Sequence, residues 1–162
     1  MATIFFLGNT PIDHPIGLRG QRLANFVRSL APYPFRVLHG TVFDPAPIYP
    51  APIDPNTIST IEPFNGAPIA SDAIWAKLLE QLPPQIEVLF LADSSLWQWA
   101  QKIKAQPAYR QTRLVVDLSN LSDIPDIFAQ ADHIFVSSEQ AYKAAHNSGI
   151  RAISLVRDGV YP

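Results

Sequence analysis

The chain has 162 residues, 48% of them apolar and 16% charged, with a net charge of −2. This is the composition of one globular domain with room for a core, and it leaves no electrostatic footprint for nucleic acid. The absence of cysteine excludes disulfides, thiol catalysis and thiolate metal sites; no apolar run approaches the roughly 20 residues of a membrane span, and no leader pattern opens the chain, so the expectation is a cytoplasmic protein.

Thr3-Ile4-Phe5-Phe6-Leu7-Gly8 is a continuous apolar run closed by glycine, the pattern of a strand buried on both faces. Residues 19–30 follow as a helix, with Leu23, Phe26, Val27 and Leu30 at helical spacing and Arg19, Arg22 and Arg28 off that stripe. Phe35–His39 is the next strand, ended by Gly40. Pro32, Pro34, Pro45, Pro47, Pro50, Pro52, Pro55, Pro63 and Pro68 crowd the stretch from 32 to 68, which excludes a long helix or a central strand there. Residues 44–57 read as an extended surface excursion, and a further strand is possible near Thr57–Ile61.

Ser71-Asp72 is placed to cap a helix through Ile74, Trp75, Leu78, Leu79 and Leu82, which Pro83-Pro84 ends. Glu87–Ala92 is a buried strand. Ser94 or Ser95 opens a helix with Leu96, Trp99, Ala100 and Ile103 on one face. Arg113–Leu118 is a strand and residues 123–130 a short helix, with Pro125 in its first turn. Strand His133–Val136, helix 138–147 and strand Ala152–Val156 complete the series. Trp75 reads as core; of Trp97 and Trp99, one ring is expected to be packed and the other partly exposed. Strands alternating with helices argue an α/β fold. The expectation is a doubly wound parallel sheet, Rossmann-like, of six or seven strands with helices on both faces. Phe5, Leu7, Val37, Leu89, Leu91, Val115 and Val136 should be buried in it.

Ligands of such sheets bind beyond the carboxyl ends of the strands. The residues there are Asn9-Thr10, Gly40-Thr41, Asp93-Ser94-Ser95, Asp117 with Ser119-Asn120, and Ser137-Ser138-Glu139. They are small and polar, which serves a ligand crevice and serves helix capping equally well. Asp93 and Asp117 end neighbouring strands, as a carboxylate pair for acid–base work or as two turn caps. The loop from Gly8 to Gly20 is the best single candidate for binding an anion. Its glycines let backbone N–H groups approach, a helix N-terminus follows, and Arg19 and Arg22 add charge. It contains neither a dinucleotide fingerprint nor a Walker loop. The ligand site is therefore expected at Asn9, Gly17, Arg19, Gly20, Asp93 and Ser119. His14, His39, His133 and His146 lack metal-ligand spacing, no Gly-x-Ser-x-Gly elbow marks a hydrolase, and neither a metal nor a cofactor is expected.

Residues 131–160 carry a resemblance. Ala131-Asp132, then Ser138-Glu139 after an apolar strand, Gly149-Ile150, and Asp158-Gly159-Val160-Tyr161 resemble the end of the N-terminal domain of retaining GT-B glycosyltransferases. The opening strand, the glycine-containing loop and Arg22–Ala31 look like that family's beginning. Asp117-Leu118-Ser119 stands where many members have a strand ending in His-Asp, and here the His is missing. The resemblance implies a single Rossmann-like domain over 1–162, equivalent to the acceptor-side half of a glycosyltransferase, with the donor-binding domain absent and no sugar transfer by the chain alone. The implied partners are a nucleotide sugar or sugar acceptor, and possibly a separate C-terminal-type domain. The alternative is a non-catalytic Rossmann-like module that binds a ligand or a protein.

Overall fold

The computed structural model describes residues 3–8, 22, 25, 26, 29, 35–40, 58–61, 72–119, 121 and 124–157. The strands are β1 (Ile4–Gly8), β2 (Phe35–Gly40), β3 (Ile58–Ile61), β4 (Val88–Leu91), β5 (Arg113–Asp117), β6 (His133–Val136) and β7 (Ile153–Leu155). They form one sheet in the order β3-β2-β1-β4-β5-β6-β7, and every neighbouring pair is parallel. The helices are α1 (Asp72–Gln81), α2 (Trp97–Lys104) and α3 (Glu139–Asn147). Arg22, Asn25, Phe26 and Ser29 are also helical, and Ser29 Oγ donates to the Asn25 carbonyl one turn back. The stretch at 44–57 and the side chain of Val37 lie outside the described residues.

Side chains alternate across a strand, and the register sorts them into two different faces. Phe5 and Leu7 of β1 share one face with Leu89 and Leu91 of β4, Leu114 and Val116 of β5, and Ile134 and Val136 of β6. All eight are buried. Leu78 of α1, Trp99, Ala100 and Ile103 of α2, and Ala141 and Ala145 of α3 pack on this face as one continuous core. The other face carries aromatic rings. Phe6 meets Phe90 at 5.1 Å between centroids, and Phe26 lies over both Phe90 (4.8 Å) and Phe135 (5.0 Å). The helical residue Phe26 thus covers β4 and β6, on the side away from α1–α3. Val115, expected in the interior, is only half-buried; it shares this second face with Phe90, its partner in the register, which is buried.

Local chemistry explains the helix ends. Pro83-Pro84 follows α1 after one intervening residue, Leu82. Ahead of α2, a 3-10 turn over Ser94–Leu96 is capped by Asp93, not by either serine. A single 3-10 turn, Asp126–Gln130, stands where a short helix was expected at 123–130. Ser138 caps α3 by accepting from Ala141 N at 3.1 Å. That helix ends in a Schellman motif. Gly149 takes φ 84°, its N–H reaches the His146 carbonyl, and Ile150 N–H reaches the Ala145 carbonyl while the Ile150 side chain enters the core.

The tryptophans depart from expectation. Trp97 and Trp99 are both buried, at 5% and 2% exposure, and Trp75 is the half-buried ring. Trp97 meets the edge of Phe128 at 5.1 Å, while Trp75 stacks on Trp99 at 6.1 Å with Lys102 Nζ 4.5 Å from its ring centroid. A 3-10 turn running into α2 rotates the helix start, so residues 97 and 99 both face inward. Among the described residues, no helix is long and apolar enough to cross a membrane.

Candidate functional site at the strand ends

The chain leaves β1 toward β2 and β3 on one side of the sheet, and leaves β4 toward β5, β6 and β7 on the other. The change of direction between β1 and β4 opens the place where parallel α/β sheets take ligands. Gly8 ends β1 there, and Asp93 follows β4. Ala92 N donates to the Leu7 carbonyl at 2.9 Å, which holds the two ends together.

Asp93 is 3% exposed and extended (φ −151°, ψ 136°); its Oδ1 accepts from Ser95 N at 2.9 Å. This turn cap fixes the carboxylate just beyond the carboxyl end of β4. Asp117 closes β5 and is equally buried. Its Oδ2 accepts from Arg22 Nε at 2.6 Å, with the two side chains only 3% and 7% exposed. It also accepts from Ser119 N (3.2 Å) and Ser119 Oγ (3.3 Å). Burial raises the Asp117 pKa, and the Arg22 and Ser119 contacts work against that rise. The two carboxylates therefore have separate structural tasks: Asp93 caps a turn, and Asp117 holds an arginine.

Arg22 was expected to lend charge to an anion-binding loop. Instead it is buried, with Nη1 donating to the Val156 carbonyl at 2.7 Å and the guanidinium carbon 5.4 Å from the Phe26 ring centroid. The expectation that Arg22 lies off the stripe of Phe26 is overturned: the two are four residues apart and share a helix face, which was one signal the sequence held. The other was Asp117, a carboxylate that ends a largely apolar strand. Ser137 Oγ donates to the Ser119 carbonyl at 2.8 Å, joining the ends of β5 and β6. At the exposed rim, Arg157 pairs with Glu139 at 2.8 Å.

Of the six expected ligand residues, Asp93 and Ser119 stand at the carboxyl ends of β4 and β5, adjacent strands. Asn9, Gly17, Arg19 and Gly20 lie outside the described residues. His133 lies on the aromatic face, its Nε2 3.0 Å from Ser154 Oγ and its ring 4.9 Å from Phe135, and burial lowers its pKa. His146 is exposed beside Arg151. Among the described residues, no group of three or more histidines and carboxylates is arranged to hold a metal ion.

No family model, curated protein or solved structure matches the chain.

Proposed function

We propose that the chain is a doubly wound, Rossmann-like domain of the GT-B N-terminal kind, the acceptor-side part of a glycosyltransferase. Its ligand would be an anionic or sugar-bearing molecule taken at the carboxyl ends of β1, β4 and β5. The observation that carries this reading is the reversal of chain direction between β1 and β4, with buried Asp93 at its mouth and Ser119 on the next strand. The parallel unit β6–α3–β7 gives the resemblance a matching local structure: Ser138 caps α3, Glu139 opens it, and Gly149 closes it in the left-handed region. Sugar transfer would need a second domain, since positioning of donor against acceptor is most of such catalysis.

The second reading, a non-catalytic ligand- or protein-binding module, is favoured by a specific observation. Asp93, Asp117, Ser119 and Ser138 all hold caps or ion pairs within the domain, and those contacts explain their residue types without a substrate.

The test is titration of UDP, GDP and sulfate into the labelled chain. Amide shifts at Asp93, Ser95 and Ser119 are expected, and Arg19→Ala should weaken binding by about 1–3 kcal/mol, the range of a charge-assisted contact. Shifts restricted to the amino ends of the strands, or none at millimolar ligand, would leave the binding-module reading alone.

A further inference from the structure

The hydrogen bonds around Arg22 form one connected path. Nε reaches Asp117 at the end of β5 and Nη1 reaches the Val156 carbonyl just after β7. One planar group thus spans two strands that β6 separates. Asp117 holds the Ser119 amide and hydroxyl, and the Ser119 carbonyl receives the Ser137 hydroxyl beyond β6. The path visits the carboxyl ends of three adjacent strands. Its central side chain is 7% exposed, too enclosed to be the surface a ligand meets.

We infer that Arg22 is a positioning residue for the strand-end crevice. It ties the end of β5 to the backbone just after β7, and so sets the Ser119 amide at the carboxyl end of β5. This rests on the crevice being the ligand site. The arginine is specific to the task. A guanidinium offers donors in a rigid planar fork, whereas a lysine ammonium is a point charge on a flexible stem. Lysine would keep the charge and could satisfy Asp117 or Val156, but it would not hold both in fixed geometry.

The experiment compares the full chain with Arg22→Lys, and with Asp117→Asn as a nearly isosteric second break in the path should the lysine variant fold poorly. Hydrogen exchange is read amide by amide, and sulfate and UDP are titrated into each protein. Positioning predicts faster exchange at Ser119 and Val156 by about tenfold or more, with Leu89 and Ile103 changed far less, because the loosening is local. It also predicts weaker anion binding in Arg22→Lys although the charge is retained. Uniform acceleration at every amide would make Arg22 a stability element only and overturn the inference. So would local loosening with unchanged affinity. If the unsubstituted chain binds neither probe, the crevice reading fails on its own, and the exchange pattern still decides whether Arg22 ties the strand ends.

Discussion

Replacing Arg22 by Met tests the buried ion pair most directly. The methionine keeps an unbranched apolar stem against Phe26 while removing the charge that faces Asp117. The carboxylate left behind is 3% exposed and retains only its contacts to Ser119. Breaking a buried pair by removing one partner costs about 3–5 kcal/mol, against the roughly 5–15 kcal/mol that holds a typical domain folded. The loss should depend on pH. Burial already raises the Asp117 pKa, and the arginine's opposing hydrogen bond and charge would be gone in the variant, so the pKa must climb further. A carboxyl whose folded pKa lies above its unfolded value stabilises the fold at low pH and loses that contribution as pH rises through the folded pKa. The deficit of Arg22→Met should therefore be largest near pH 7.5 and should shrink by pH 4.5. Urea unfolding followed by circular dichroism at both pH values measures this, and His133, common to both proteins, cancels in the difference. Adding Asp117→Leu should recover much of the loss at pH 7.5, since no charge then remains buried. A loss under about 1 kcal/mol, the range of solvated surface pairs, or one equal at both pH values, would refute the reasoning.

Leu89→Ala removes a fully buried side chain from the face covered by α1–α3; it should cost about 2–5 kcal/mol in the same assay, whereas Leu79→Ala, at an exposed position, should stay within about 0.5 kcal/mol. Ser138→Ala deletes the hydroxyl that accepts from Ala141 N and should cost about 1 kcal/mol, with exchange accelerated in the first turn of α3. The lowered pKa of His133 means that the folded state disfavours its protonation, so its contribution is present above the unfolded value of about 6.5 and is lost as pH falls below it. Melting temperature should accordingly drop between pH 7.5 and 5.5 less steeply in His133→Gln than in the unsubstituted chain; equal slopes would show that His133 is not the titrating group.

Much of the architecture is local in origin, and so the chain order could be read from the residues. Runs such as Ile4–Gly8 and Val88–Leu91 are apolar without alternation because both faces of a parallel sheet are covered. Pro83 after α1, Ser138 before α3 and Gly149 after it act through their own backbone and nearest neighbours. Their effects can therefore be read within a few residues. The same locality explains why the strand-end polar residues were ambiguous. An Asp or Ser after a strand does the same local chemistry whether or not a ligand lies beyond it.

Tertiary structure alone decided the partners of groups far apart in sequence. Arg22 and Asp117 are 95 residues apart, and nothing local to either one names the other. The sequence reading set Arg22 off the stripe of Phe26, whereas the placement of Phe26 across β4 and β6 brings the Arg22 guanidinium over its ring and to the end of β5. Val115 is half-buried and Val116 fully buried, because burial depends on which elements cover each face and how far they extend. Trp97 and Trp99 are both enclosed because the 3-10 turn at Ser94–Leu96 sets the rotation of α2, a choice stabilised by contacts with Phe128 and Trp75 contributed from elsewhere in the chain. Sequence determined which segments form strands and helices, since propensity, caps and breakers act over a few residues. Assembly determined which charge is buried against which, because desolvation and pairing arise only when distant segments meet.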